Sequence, residues 1–102
     1  MAQTPEAKVK AKIKAILKEH NIYYAMPIGT GYGNSGVPDF LCCVSGFFVA
    51  IEAKAGKGVA TALQLKNLDE IDRSGGYAMI IREDNLQYLT NIINECKARS
   101  HQ

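Results

Sequence analysis

Three charged residues, Asp39, Glu52 and Lys54, flank two apolar stretches that read as the arms of a hairpin. Phe40-Leu41-Cys42-Cys43-Val44 and Phe47-Phe48-Val49-Ala50-Ile51 are rich in β-branched and aromatic residues, and Ser45-Gly46 between them suits a tight turn. With Ser45 and Gly46 as a two-residue loop, Val44 faces Phe47 and Asp39 faces Glu52. Directly opposed residues carry Cβ atoms about 4.5–5.5 Å apart on one face of the sheet. Lys54 lies two residues beyond Glu52 and shares its face. A bulge or longer turn would shift this register by a residue, but the alternation within Glu52-Ala53-Lys54 survives either way.

Two carboxylates so close repel, so one must hold a proton or a cation must sit between them. A hard divalent ion such as Mg²⁺ suits the second solution: it accepts a few carboxylate oxygens, keeps several waters and takes phosphate oxygens readily. An adjacent ammonium adds positive charge where phosphodiester hydrolysis builds negative charge. The same residues also fit a turn aspartate after Pro38 and a surface cross-strand pair.

The surrounding pattern is more specific. Gly36-Val37-Pro38-Asp39-Phe40, a hairpin, Ile51-Glu52-Ala53-Lys54, a short Gly-rich connection and a helix bearing Gln64 together resemble the PD-(D/E)XK nuclease superfamily. More narrowly, the chain is similar to the VRR-NUC family, above all its small stand-alone members from phages and bacteria. The resemblance runs from about Ile22 to Ile81. It implies Asp39 and Glu52 as metal ligands, the Ala53 carbonyl as a third candidate ligand and Lys54 as the catalytic lysine. Gln64 matches a helix glutamine near the family's catalytic centre, and Glu19 is the candidate for an acidic residue that many superfamily members place beside the metal. The implied activity is that of a Mg²⁺- or Mn²⁺-dependent endonuclease that cuts DNA, resembling Holliday junction resolvases and acting on branched DNA as a homodimer. A non-catalytic DNA-binding subunit of the same fold, or a nuclease for other branched or single-stranded DNA, would carry the same outline.

Size and composition bound these readings. At 102 residues the chain makes one domain, residues 1–102, with a modest core and little room for a separate binding module. The formal charge of +2 is mild, although Lys8, Lys10, Lys12, Lys14 and Lys18 crowd the first helix. Such a run fits a solvated helix face as well as a DNA-tracking stripe. No apolar run approaches the roughly 20 residues that span a bilayer, and Met1-Ala2-Gln3-Thr4-Pro5-Glu6 lacks a signal-peptide core. The expectation is an intracellular protein with no membrane contact, working in a bacterium or a phage-infected host. Three cysteines with no Cys-x-x-Cys, beside only two histidines, give no pattern for structural zinc.

The elements that must position the charged trio follow from periodicity. Thr4 caps a helix with Pro5 at its first position, and Val9, Ile13, Ile16, Leu17 and His20 recur at helical spacing, with Glu19 flanking the stripe. Ile22 to Met26 reads as a strand. The loop after it holds a literal Gly-x-Gly-x-x-Gly from Gly31 to Gly36, but a dinucleotide fingerprint needs a helix next, whereas Val37-Pro38 leads into a strand. A nucleotide-binding module built on this loop is therefore the weaker reading, and a loop over the active face, with Tyr32 meeting DNA, the stronger.

Ala55-Gly56-Lys57-Gly58 breaks the second hairpin arm, and Lys57 is a candidate phosphate contact. Thr61-Ala62-Leu63-Gln64 is a capping box, which explains Gln64 structurally, and the apolar positions of its helix include Leu65, Leu68 and Ile71 or its neighbours. Gly75-Gly76 ends that helix, Tyr77 to Ile81 forms a strand, and Asp84 is placed to cap a last helix carrying Leu86, Leu89, Ile93 and Cys96. The predicted order, α-β-β-β-α-β-α, gives an α/β fold with a mixed central sheet flanked by helices, the restriction-endonuclease-like core that the resemblance implies.

Overall fold

The computed structural model describes residues 3–28 and 36–100. Tyr32 and most of the glycine-rich loop lie outside the described residues. The elements follow one another as α1 (Pro5–Glu19), β1 (Tyr23–Ala25), β2 (Phe40–Val44), β3 (Phe47–Ala53), α2 (Ala62–Arg73), β4 (Tyr77–Ile81) and α3 (Leu86–Arg99).

Helix α1 starts where its sequence places the start. The Thr4 side chain accepts a hydrogen bond from the Ala7 N–H at 3.1 Å, and Pro5 fills a position whose amide would find no helical partner. Val9, Ile13 and Leu17 are its buried positions. The hairpin turns on Ser45 (φ 51°) and Gly46 (φ 87°), two successive left-handed residues that match the twist of the flanking strands. The resulting register pairs Val44 with Phe47 and Phe40 with Ile51, and one further step sets Asp39 against Glu52.

The sheet order is β1-β2-β3-β4. β1, β2 and β3 run antiparallel to their neighbours, whereas β4 lies parallel to β3 through the α2 crossover. Strand alternation sorts side chains to two faces. Phe40, Cys42, Val44, Val49, Ile51, Ala53, Met79 and Ile81 join the buried positions of α1 and α3 in one core. Glu52 alternates to the opposite face, where α2 packs over β3 and β4.

Three local expectations change. β1 is confined to Tyr23–Ala25, shorter than the apolar run from Ile22 to Met26. Of the three apolar positions assigned to α2, only Leu68 is buried, and Leu65 is 51% exposed, so the face that α2 turns to the sheet is narrower than its apolar spacing suggests. Asn85, not Asp84, is the N-cap of α3; its side chain accepts from Arg82 N–H and donates to the Ile80 carbonyl at 3.0 Å, tying β4 to the helix.

Candidate active site

Asp39, Glu52, Lys54 and Gln64 meet at the end of the hairpin. β3 carries Glu52 to the sheet face beneath α2, where the residue is 2% exposed. Its Oε2 accepts a hydrogen bond from Gln64 Nε2 at 3.0 Å and faces Lys54 Nζ at 3.6 Å. Its Oε1 is buried and has no hydrogen-bond partner. Burial, followed by the nearby charge of Asp39 and a proton-sharing contact with its carboxyl, pushes the Glu52 carboxyl up from 4.5 to about 7, against the opposing pull of Lys54. Without a cation, a proton is therefore the carboxylates' other remedy. A buried polar atom without a partner is costly, and such atoms are rare in folded proteins.

Asp39 follows Pro38 and sits one residue before β2. Its Oδ2 accepts the Ala53 N–H at 2.8 Å, which clamps the start of β2 to the end of β3. Its Oδ1 lies 3.5 Å from Lys10 Nζ. Lys54 is held by backbone as well as by charge: its N–H donates to the Ile81 carbonyl at 3.1 Å, and its side chain is only 13% exposed.

Gln64 satisfies both readings of its position. Its Oε1 accepts the Thr61 N–H at 2.9 Å while the Thr61 hydroxyl accepts the Gln64 N–H at 3.2 Å, a complete capping box. The same amide then has its Nε2 free to donate to Glu52. The cap that starts α2 therefore also orients a glutamine over the carboxylate.

The remaining sequence candidates are placed elsewhere. Glu19 is exposed at the last residue of α1, nine residues and about 14 Å along the helix from Lys10, so the fold does not bring it to Asp39 and Glu52. The part of α1 that does approach is its first half. Glu6 adds to the negative field that raises Glu52, and Lys10 bridges Glu6 and Asp39. Sequence reading missed both; the signal available was the Glu6-Lys10 spacing of one helical turn directly after the Thr4 cap. Lys57 is exposed in the turn after β3. Gly36 closes the glycine-rich loop and leads to β2 rather than a helix, in keeping with the failed dinucleotide pattern.

The donor set suits a hard cation. Two carboxylates converge and one buried carboxylate oxygen accepts no hydrogen bond, although among the described residues no group of three or more His, Cys, Asp or Glu side chains is placed to hold a metal ion. A pair of carboxylates is compatible with Mg²⁺, which binds through few protein oxygens and keeps several waters. Cys42, Cys43 and Cys96 are all free, and burial pushes the Cys42 thiol up to about 12, which makes it a poor ligand.

Comparison with known proteins adds the fold. No family model matches the chain, and no curated protein matches it. Solved structures do. One described as a VRR-NUC domain superposes with a TM-score of 0.74 at 18% identity, covering 87% of this chain and 97% of its own. A second VRR-NUC domain protein gives 0.69 at 17% identity, covering 94% and 93%. Hjc of Archaeoglobus fulgidus, a Holliday junction resolvase from an archaeal hyperthermophile, gives 0.58 at 19% identity over 74% of this chain and 66% of that one. The chain thus has the VRR-NUC domain fold, a restriction-endonuclease-like α/β core, as the residues from Gly36 to Gln64 imply.

Proposed function

We propose that this protein is a metal-dependent DNA endonuclease that hydrolyses phosphodiester bonds, with Asp39 and Glu52 holding a Mg²⁺ or Mn²⁺ ion. The observation that carries the reading is the buried, unpartnered Oε1 of Glu52 beside Asp39, while Lys54 and Gln64 occupy Oε2. A bound divalent cation supplies Lewis-acid polarisation of the phosphoryl group and a more acidic water. The chain supplies the rest. Glu52, fixed by Gln64 and by its place in β3, presents one oxygen in a set direction, and the Ala53 N–H locks Asp39 opposite. The Ala53 carbonyl is a third candidate ligand. Lys54, largely desolvated and 3.6 Å from Glu52 Oε2, would stabilise the extra negative charge on the phosphoryl oxygens at the transition state. Lys57, exposed in the turn after β3, is the candidate for contact with backbone phosphates.

The likeness to a Holliday junction resolvase, together with the small size of the chain, supports branched DNA as substrate and a homodimer as the working form. A two-fold dimer addresses two strands of a four-way junction with equivalent active sites. Among the described residues no helix is long and apolar enough to cross a membrane.

A panel of four-way, flap, nicked and linear DNAs incubated with the protein in Mg²⁺, Mn²⁺ or Ca²⁺ tests the assignment. Lys54→Ala is expected to lower the single-turnover cleavage rate by about 100-fold or more while leaving DNA affinity within a few-fold, because its charge is needed chiefly at the transition state. Equal losses of rate and affinity would make Lys54 a docking residue.

A further inference from the structure

Lys10 belongs to the lysine run whose simplest reading is a solvated helix face, yet its ammonium lies 3.5 Å from Asp39 Oδ1 and 3.5 Å from Glu6 Oε2. Both oxygens of Asp39 are therefore engaged, Oδ2 by the Ala53 N–H and Oδ1 by Lys10. On Glu52 the engagement is one-sided: Lys54 and Gln64 share Oε2, and Oε1 is left alone.

An ion held by the two carboxylates would have Glu52 Oε1 open to it, whereas Oδ1 of Asp39 already faces the Lys10 ammonium. Asp39 Oδ2 keeps one lone pair beside the backbone N–H it accepts at the end of β3, whereas the charge on Oδ1 belongs to a side chain that can move away. An ammonium and a divalent cation cannot share Oδ1 at contact distance, because their repulsion is strong at this partly buried position. The two differ in mobility. Lys10 rides a flexible four-carbon stem, and Glu6, one helical turn before it, already offers a second anchor.

We propose that Lys10 is a positioning residue for the metal: a tethered counter-cation that neutralises Asp39 in the metal-free protein, withdraws to Glu6 when the ion binds, and so sets the ion's affinity. The inference rests on the reading of Asp39 and Glu52 as a metal pair. It separates the two active-site lysines by role. Lys54 stays on Glu52 Oε2, away from the open Oε1, whereas Lys10 sits on Asp39 Oδ1.

The test is direct titration of the full chain with Mn²⁺ in the absence of DNA, read by calorimetry or by the free-ion spin resonance signal, for the wild type, Lys10→Met, Lys10→Gln and Lys10→Arg. Removing the charge is expected to tighten Mn²⁺ binding roughly fivefold, the scale of a partly exposed ion pair, in both neutral variants. Lys10→Arg keeps the charge and should stay within about twofold of the wild type. A merely structural lysine would not tighten metal binding when lost. Unchanged or weaker Mn²⁺ affinity in Lys10→Met and Lys10→Gln, with folding confirmed by circular dichroism, would overturn the inference. So would unchanged metal affinity accompanied by weaker binding of DNA in Ca²⁺, which would make Lys10 a phosphate contact. A wild type that binds no Mn²⁺ would overturn the metal reading itself, and this inference with it, and is distinguished from the other outcomes by that alone.

Discussion

Glu52 concentrates the chemical tension of the molecule. It is 2% exposed, carries one unpartnered oxygen and faces a second carboxylate, and its carboxyl is pushed up to about 7 from an ordinary 4.5, first by burial and then by Asp39. Between those two values the folded protein retains a proton that the unfolded chain has released. Stability of the metal-free protein is therefore greatest below about 4.5 as far as this group is concerned, falls as the pH rises, and levels off above about 7. The full difference amounts to about 3 kcal/mol. Urea midpoints from pH 4.5 to 8 should show this decline in the wild type and lose most of it in Glu52→Gln. Mg²⁺ should restore the wild type mainly at the upper end, since an ion and a proton compete for the same carboxylate. A wild-type profile that parallels the Glu52→Gln profile would show that Glu52 titrates as an ordinary glutamate.

At the scale of elements, two short connections do the positioning. The Ser45-Gly46 turn sets the register that opposes Asp39 and Glu52, and that much was legible because a two-residue turn between apolar arms permits few registers. The α2 capping box was legible for the same reason: Thr and Gln three residues apart have a specific partner geometry. The direction of Gln64 Nε2 toward Glu52 was not, because it depends on how α2 lies on the sheet. Nor did periodicity distinguish Glu19 from Glu6. Both flank the α1 stripe, and only the approach of the helix's first half to Asp39 decides which of them feels Glu52.

Gly36 controls how α2 lies. A Cβ there would stand 2.7 Å from the Leu63 backbone carbonyl carbon and oxygen, so α2 rests directly on a residue without a side chain. Gly36→Ala is expected to destabilise the fold by about 1–3 kcal/mol and to displace the first turn of α2 with its glutamine. Paired urea and cleavage measurements check this: a loss of activity under conditions where the variant is fully folded is the expected result. Unchanged stability would mean that α2 shifts freely and does not set Gln64.

On the scale of the whole molecule, the described helices cover the sheet from both sides. α1 and α3 bury one face completely enough to seal Phe40, Val49, Ile51 and Ile81, and on the opposite face α2 packs over β3 and β4. Tyr23 and Phe48, on that second face, remain 78% and 47% exposed. The fold class followed from the order of apolar runs, because α-β-β-β-α-β-α with a single parallel crossover admits few compact arrangements. Where α2 lies on the second face did not, since it depends on the length and tilt of that helix. If the proposed action on two strands of a junction holds, a chain of 11.1 kDa is expected to sediment as a dimer at micromolar concentration, with or without DNA. Sedimentation as a monomer even on junction DNA would assign cutting to one strand at a time.

The most direct test of the account is Mg²⁺-dependent cleavage of a labelled four-way junction by the wild type, Asp39→Ala and Glu52→Ala, with DNA binding followed in parallel in Ca²⁺. The account predicts cutting by the wild type that stops when the ion is chelated, a loss of about 1,000-fold or more in both variants, and DNA affinity largely kept. Undiminished metal-dependent cutting by either variant would contradict it, as would a wild type that binds the junction and cuts no DNA in any divalent ion.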